Sequence, residues 1–349
     1  MRVLVAMSGG VDSSVAAAMM KAEGHDIVGV TLKLWSGPNG EAPTAGCCTV
    51  SDAEDARRVA AQLDIPYYVL DYTEEFRDGV VDRFARDYGS GRTPNPCIEC
   101  NRTVKFDRLL HSLEEFDTEV LVTGHHARNH MLAGSWRLLR GRDQAKDQSY
   151  VLSMLTQGEL ERVRLPVGEL TKAEVRSVAA DMGLRTAAKP ESMDICFVGQ
   201  RDYRGFLRET APEAFEPGPL VGTDGVELGR HDGIACFTVG QRRGLGVALG
   251  EPRFVVRIEP GTSTVVLGRR DELAVAGVRV ELLTWADGSP VSGQVMAQYR
   301  AHGEAVEATL HGDRLLFAEP QRAVAPGQTI AFYDDDLVLG GALIAETFV

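Results

Sequence analysis

Ser8-Gly9-Gly10-Val11-Asp12-Ser13-Ser14 stands between an apolar run, Arg2–Met7, and an alanine- and methionine-rich run, Ser13–Glu23, that ends at Gly24. The two glycines let the backbone approach an anion with no Cβ in the way. N–H groups at a helix start point at such an anion, and the helix dipole favours negative charge there. Ser8, Ser13 and Ser14 add hydroxyl donors. Asp12 cannot help by charge; it suits Mg²⁺ or a backbone N–H instead. No Gly-Lys-Ser/Thr follows, so the run is not a Walker loop.

Outward from this loop, strand and helix signals alternate. Ile27–Trp35 is β-branched and apolar, a second strand. Ser51-Asp52-Ala53-Glu54 has the form of a capping box, with Ala56, Val59, Ala60 and Leu63 at helical spacing behind it. Pro66–Leu70 reads as a third strand, Thr73–Tyr88 and Lys105–Leu113 as helices, and Glu119–Thr123 as a buried strand. The pattern predicts an α/β fold, a doubly wound parallel sheet of Rossmann-like type with helices on both faces. Met131–Arg140 reads as a hairpin turning at Gly134-Ser135. Thr171-Lys172-Ala173-Glu174 is a second capping box, and Pro190–Gly199 a loop around a short apolar stretch.

The composition changes near residue 211. Ala211–Pro219 holds three prolines and a glycine. Short β-rich runs follow at Ala235–Val239, Phe254–Glu259, Thr264–Leu267, Val278–Leu283, Val295–Tyr299, Val306–Leu310, Thr329–Phe332 and Leu343–Thr347. Such spacing predicts small β-barrels. Boundaries are expected near 200–210 and near 270, giving three domains: 1–205, a central small β-rich domain 206–270, and a C-terminal β-barrel 271–349.

The 349 residues carry 37 basic and 50 acidic side chains, a formal charge of −13. That argues against non-specific nucleic-acid binding. A specific RNA partner needs only a local basic surface. No apolar run reaches the roughly 18 residues that span a bilayer, and the N-terminus lacks signal-peptide features. The expected location is cytoplasmic, with no membrane partner. Cysteines stand at 47, 48, 97, 100, 196 and 236. In a cytoplasmic protein of this size they do not form a disulfide framework. In Cys97-Ile98-Glu99-Cys100, Asn95 suits a helix N-cap and Pro96 the first helical position. A helix start favours the thiolate, the nucleophilic form. Cys196 sits in apolar company between Ile195 and Phe197. Three readings stay open for these thiols. Half a zinc site lacks a second Cys/His pair at ribbon spacing. A redox or sulfur-handling pair is the second. An iron–sulfur cluster on Cys97, Cys100 and Cys196, with one open iron, is the third.

Five motifs occur in one order: the loop at 8–14; Asn95-Pro96-Cys97-Ile98-Glu99-Cys100-Asn101; Thr123-Gly124-His125-His126-Ala127-Arg128; Asp147-Gln148-Ser149-Tyr150; and Ile195-Cys196-Phe197. The loop alone resembles the PP-loop of the N-type ATP pyrophosphatases. The full order resembles the bacterial tRNA-specific 2-thiouridylase family, over essentially the whole chain, Gly240-Gln241-Arg242-Arg243-Gly244-Leu245-Gly246 included.

The resemblance implies the following. Ala6, Met7, Ser8, Gly9, Gly10, Val11, Asp12, Ser13, Leu32 and Gly124 bind ATP with Mg²⁺. ATP adenylates the C2 oxygen of a tRNA wobble uridine and pyrophosphate leaves. Cys196 carries a persulfide, and Cys100 is the nucleophile that releases its sulfur, the two ending as a transient disulfide. Asn95, Pro96 and Cys97 meet the target base, while His125, Asp147, Gln148, Ser149, Gln298, Tyr299 and Gln328 contact tRNA. The partners implied are tRNAs with Lys, Glu and Gln acceptors and a cysteine desulfurase or sulfur-relay carrier. Two departures stand out: many family members have Asp where this chain has Cys97, and often Arg where it has Gln298.

Local basic residues suited to RNA are Arg92, Arg102, Lys105, Arg128, Arg201, Arg204, Arg242 and Arg243. Cys47, Cys48 and Cys236 have no assigned role. Two other functions remain in view: another PP-loop ligase or amidase, which needs no paired cysteines, and an iron–sulfur RNA-modifying or RNA-binding protein.

Overall fold

The structure, a computed structural model, describes residues 1–36, 49–190, 196–198, 203–248 and 250–349. Cys47, Cys48, Arg201 and most of the loop expected at Pro190–Gly199 lie outside the described residues.

The N-terminal region builds β1 (Arg2–Ala6), α1 (Val11–Ala22), β2 (Asp26–Lys33), α2 (Val50–Gln62) and β3 (Tyr67–Asp71). A helical run follows: α3 (Thr73–Phe76), a π-helical turn Arg77–Val81 and α4 (Asp82–Gly89). A second has the same plan: α5 (Pro96–Cys100), a π-helical turn Asn101–Phe106 and α6 (Asp107–Glu115). The expected helices are therefore present, but each carries a widened turn. The two wide turns face each other, and a Cβ on Gly79 would stand 3.1 Å from the Thr103 hydroxyl.

After β4 (Val120–Val122) come the hairpin strands β5 (Ala127–Leu132) and β6 (Ser135–Arg140), α7 (Ser149–Leu152), α8 (Gln157–Glu161), β7 (Val163–Arg164), α9 (Lys172–Asp181) and α10 (Tyr203–Thr210). The sheet order is β3-β2-β1-β4-β7 with every pairing parallel. Strand order reverses between β1 and β4, so the switch point lies where the glycine loop leaves β1. Alternate residues feed two separate cores. Val3, Val5, Ile27, Val120 and Val122 pack on one face; Leu4, Val28, Val30, Leu32 and Leu121 pack on the other.

The central strands are β8 (Gly218–Gly222), β9 (Glu227–His231), β10 (Phe254–Glu259) and β11 (Thr264–Gly268), ordered β10-β11-β8-β9. The last six are β12 (Ala274–Trp285), β13 (Gly293–Gln298), β14 (Val306–His311), β15 (Arg314–Arg322), β16 (Thr329–Asp334) and β17 (Leu337–Phe348). The order β12-β15-β14-β13-β16-β17, with β12 also paired to β17, closes them into a barrel. The β5–β6 hairpin of the N-terminal region joins this barrel, β6 pairing with β17 through Leu139 and Leu337. No helix of the described residues is long and apolar enough to cross a membrane.

Four local readings need correction. The first capping box is Thr49 with Asp52, two residues ahead of the expected Ser51, which lies inside α2. The hairpin turns at Ala133-Gly134 rather than Gly134-Ser135. Ala235–Val239 is not a strand: Ile234–Cys236 is a 3₁₀ turn. Its apolarity reflects burial of Ile234, Ala235 and Phe237, which periodicity cannot distinguish from a strand. The strand β8 was unexpected because it contains Pro219. That residue sits before the section paired to β11, which begins at Leu220.

Candidate functional site

The glycine loop is held open from within. Ser8 N–H donates to Ser13 Oγ at 3.1 Å, and Ser14 Oγ donates to the Gly10 carbonyl at 2.8 Å. Gly10 is the N-cap of α1 and supplies no side-chain cap, so the first-turn N–H groups face the loop rather than a capping oxygen. Gly9 has φ +71°, and a Cβ there would lie 2.1 Å from the Asp52 carbonyl oxygen. A Cβ on Gly124, just past β4, would lie 2.5 Å from Ser13 N. Both glycines are fixed by close approach.

Two clefts open beside this loop. The first, about 220 Å³, is lined by Ala6, Met7, Ser8, Asp12, Ser13, Leu32 and Gly124 of the expected ATP set, together with Val30, Leu34, Leu109, Lys105 and His125. Its aliphatic walls suit a flat base. The second, also about 220 Å³, takes Gly10 and Val11 with Lys146, Lys172 and Lys189. The clefts share Ser8, Asp12 and Gln148. Gly9 lines neither; its carbonyl accepts from Lys189 Nζ at 3.0 Å.

Asp12 sits at the junction of the clefts. Lys172 Nζ donates to both of its oxygens at 2.8 Å, and His126 Nε2 lies 3.1 Å from one of them. Burial raises the Asp12 pKa, but these partners outweigh it and hold the carboxyl below its ordinary value. Lys189 Nζ reaches Asp52 and Asp55, each at 2.7 Å. Burial disfavours its charge, yet the two carboxylates leave its pKa raised. His125 keeps some exposed surface, but the protein packed around its ring, with Lys105 nearby, pushes its pKa down to about 3. Its Nδ1 pairs with Thr123 Oγ1 at 2.8 Å, and its ring lies against Phe106. At neutral pH this imidazole is uncharged.

The turn before α5 follows its sequence. Asn95 Oδ1 accepts from Cys97 N–H at 3.1 Å and Pro96 is the first helical residue. Cys97 is exposed, Cys100 is buried and Cys196 is half-buried, all as thiols. Cys100 belongs to the large core that includes Phe84 and Phe197, and Cys196 packs against that same core. Among the described residues, no three His, Cys, Asp or Glu side chains gather as a metal-binding group. The iron–sulfur reading of Cys97, Cys100 and Cys196 is therefore not supported: Cys97 faces solvent while Cys100 is sunk in apolar surroundings. Burial pushes the Cys236 thiol up in pKa.

The remaining expected residues lie where the barrel meets the N-terminal region. Arg140 Nη1 donates to Asp147 at 2.9 Å and to Gln298 Oε1 at 3.2 Å, and its guanidinium lies 3.7 Å over the Tyr333 ring. Asp147 also accepts from Gly141 N, Ser149 N and Ser149 Oγ. Ser149 and Gln298 are buried. Tyr299 donates its hydroxyl hydrogen to Gln321. Gln148 is exposed, and its Oε1 accepts from His126 N–H at 2.8 Å. Gln328 Nε2 donates to the Thr93 carbonyl, two residues before Asn95.

Sequence reasoning missed Lys146, Lys172 and Lys189. Lys172 was visible only as part of a capping box, and nothing local marks the other two. They come together only through the fold.

Residues 1–200 match the tRNA methyl transferase HUP domain, 204–269 the tRNA methyl transferase PRC-barrel domain and 275–344 the aminomethyltransferase beta-barrel domain. A tRNA-specific 2-thiouridylase MnmA of Roseiflexus castenholzii is 46% identical over 368 residues, covering 99% of each chain. That of Carboxydothermus hydrogenoformans is 46% identical over 357 residues, covering 99% of this chain and 98% of its own. Among solved structures, a 4-thiouridine synthetase–RNA complex with bound ATP aligns at 18% identity and a TM-score of 0.36, over 61% of this chain and 50% of that one.

Proposed function

The chain belongs to the tRNA-specific 2-thiouridylase family, and on that footing we propose that it replaces the C2 oxygen of a tRNA wobble uridine with sulfur, at the expense of ATP. The observation that carries the reading is the double cleft at the switch point. One compartment suits a base; the other gathers lysines around a glycine loop; and the cysteine-bearing helix α5 stands on the same lobe.

The chemistry requires these parts. A carbonyl oxygen is a poor leaving group, so it is first joined to the α-phosphorus of ATP and pyrophosphate departs. Adenine lies against Leu32 in the first cleft. Backbone N–H groups of the uncapped α1 start, with Ser8 and Ser13, hold the phosphates. Mg²⁺ is commonly held by one or two carboxylates plus substrate phosphates; Asp12, bordering both clefts, would be its carboxylate, and Mg²⁺ there would take over from Lys172, which donates to both Asp12 oxygens. Held there, it would supply positive charge to offset the phosphates. Neutral His125, near the same cleft, donates or accepts a hydrogen bond without adding charge. The Cys100 thiolate attacks the inner sulfur of the Cys196 persulfide and breaks its S–S bond; the terminal sulfur leaves as hydrosulfide, adds to C2 and expels the adenylated oxygen as AMP. The two sulfurs end as a disulfide, and an external thiol reductant supplies the two electrons that reopen it.

The tRNA part follows the same reading. The target base leaves its stack to meet Asn95, Pro96 and exposed Cys97. The anticodon arm lies across the face that offers His125, Asp147, Gln148, Tyr299 and Gln328, while buried Ser149 and Gln298 act behind it by holding Asp147 and Arg140 in place. Exposed Arg242 and Arg243 add local charge to an acidic chain. Residues 1–205, 206–270 and 271–349 act as the ATP, linking and RNA-facing units. Substrates are tRNAs with Lys, Glu and Gln acceptors, and sulfur comes from a cysteine desulfurase or a relay carrier in the cytoplasm.

The test is mass spectrometry of nucleosides from tRNA lacking 2-thiouridine, incubated with the protein, ATP–Mg²⁺ and a persulfide donor. A 2-thiouridine that Cys100→Ser and Cys196→Ser both abolish is expected. Thiolation that survives either substitution contradicts the cysteine roles. No thiolation by a protein that binds ATP contradicts the function.

A further inference from the structure

We propose that Cys97 is a resolving thiol: it takes over the disulfide that Cys100 forms with Cys196 and carries it to the surface, where a dithiol reductant reopens it. The proposal rests on the cysteine roles given above and deepens them, naming the residue through which the external electrons enter.

Helix α5 brings the exchange within reach. Asn101 N–H donates to the Cys97 carbonyl, so one closed helical turn carries both Cys97 and Cys100. Residues three apart in a helix share a face, with Cα atoms about 5 Å apart. A disulfide joins residues whose Cα atoms are roughly 4.4–6.8 Å apart. The turn is also held against rotation. Glu99, between the two cysteines, is 6% exposed and accepts from Arg83 Nη1 at 2.9 Å and from Arg102 Nη2 at 2.7 Å. Asn95 Oδ1 takes the Cys97 N–H, and Thr103 Oγ1 donates to the Glu99 carbonyl at 2.8 Å. Cys97 is thus kept at the surface and Cys100 in the core, one turn apart.

Exposure sets the direction of the relay. Cys97 is exposed, whereas Cys100 is 5% exposed and shares a core with Phe84, Val104 and Phe106. Cys196 packs on that same core, and the ring of Phe197 beside it lies 5.2 Å from Phe84 and 5.7 Å from Phe76. A disulfide between Cys100 and Cys196 is therefore walled by apolar side chains. Thiol–disulfide exchange requires a thiolate to reach one of the two sulfurs, so access governs its rate. A protein-sized reductant is kept out by this core; Cys97, on the same helix turn as Cys100, is not.

Atoms and electrons balance at each step. Cys97 gives its proton to solvent and its thiolate attacks Cys100 Sγ. The Cys100–Cys196 bond breaks, the Cys97–Cys100 bond forms, and Cys196 leaves as a thiolate ready for another persulfide. One thiolate of the reductant then attacks the exposed Cys97 Sγ and releases Cys100, giving a mixed disulfide. The second thiol of the reductant closes its own disulfide and releases Cys97. The reductant is oxidised by two electrons, and all three cysteines return as thiols.

The experiment follows disulfides in the full chain. Wild type, Cys97→Ser and Cys196→Ser are oxidised with diamide, freed of excess oxidant and reduced with thioredoxin. Samples are quenched in acid, alkylated and mapped by peptide mass spectrometry over time. Cys196→Ser forms Cys97–Cys100 and is reduced as fast as wild type. Cys97→Ser forms Cys100–Cys196, which thioredoxin reduces about tenfold or more slowly than it reduces wild type. Cys97→Ala, which removes the hydroxyl as well, behaves like Cys97→Ser. A Cys100–Cys196 disulfide reduced as fast without Cys97 as in wild type overturns the relay. So does a Cys196→Ser protein that forms no Cys97–Cys100 disulfide. A Cys97→Ser protein that forms no Cys100–Cys196 disulfide, while Cys196→Ser forms Cys97–Cys100, overturns the roles given above to Cys100 and Cys196 instead.

Discussion

The side-chain amide of Gln328 donates to the carbonyl oxygen of Thr93 at 2.6 Å, across 235 residues of sequence. Thr93 N–H in turn donates to the Pro326 carbonyl at 2.8 Å, and Arg92 pairs with Glu281 at 2.6 Å. The barrel thus grips the segment that runs into Asn95-Pro96-Cys97. Gln328→Ala removes one of these bonds, at a cost of about 1 kcal/mol. We expect the KM for tRNA to rise while ATP affinity stays level, checked by steady-state thiolation and nucleotide titration. Unchanged tRNA kinetics would show that the grip does not reach the base-recognition turn.

Gly9→Ala places a methyl 2.1 Å from the Asp52 carbonyl, at a φ of +71° that other residues rarely adopt. Strain of about 1–3 kcal/mol follows, together with a displaced loop. Loss of ATP binding with the far-ultraviolet circular dichroism retained is expected. Gly24→Ala, at φ +82° with open space around it, is the control that keeps ATP binding.

His125 gives a pH dependence with a fixed sign. Its folded pKa is about 3, while the unfolded chain titrates near the ordinary value of 6.5. As pH falls through 6.5 the unfolded state takes up a proton that the folded state refuses. Stability from this group is therefore complete above that value and is lost downward toward the folded pKa, by up to about 1.4 kcal/mol per pH unit. Urea titrations at neutral and mildly acidic pH should show a shallower acid-side loss in His125→Asn. An identical slope in the variant would mean the imidazole is not kept neutral by its surroundings.

Arg140 joins Asp147, Gln298 and the Tyr333 ring at the seam between the N-terminal region and the barrel. Arg140→Met leaves Asp147 only its backbone and Ser149 donors and removes a close cation–π contact. We expect about 2–4 kcal/mol of destabilisation, read from denaturant midpoints. Arg140→Lys keeps the charge but loses the planar fork, and falls between.

How much of this was legible depends on range. The parallel sheet and the loop at 8–14 were readable because strand, glycine pair and helix are contiguous. Leu32 and Gly124 came with the resemblance; they line one cleft because the ends of β2 and β4 converge at the switch point. The widened turns at Arg77–Val81 and Asn101–Phe106 were not, since a single extra residue per turn leaves no mark in apolar spacing. Lys146, Lys172 and Lys189 were hidden for another reason: each has an ordinary surface context, and only the fold brings them to Asp12 and Gly9. The membership of the β5–β6 hairpin in the barrel sheet was equally unreadable, because β6 meets β17 through chain segments nearly 200 residues apart.

The most direct test follows one atom. tRNA carrying a heavy-oxygen label at C2 of the wobble uridine is turned over with ATP–Mg²⁺ and a persulfide donor, and the AMP is weighed by mass spectrometry. If the ATP cleft activates that oxygen, each 2-thiouridine formed yields one AMP carrying the label in its phosphate. Unlabelled AMP beside newly formed 2-thiouridine would contradict adenylation of the base, whatever else the two clefts bind.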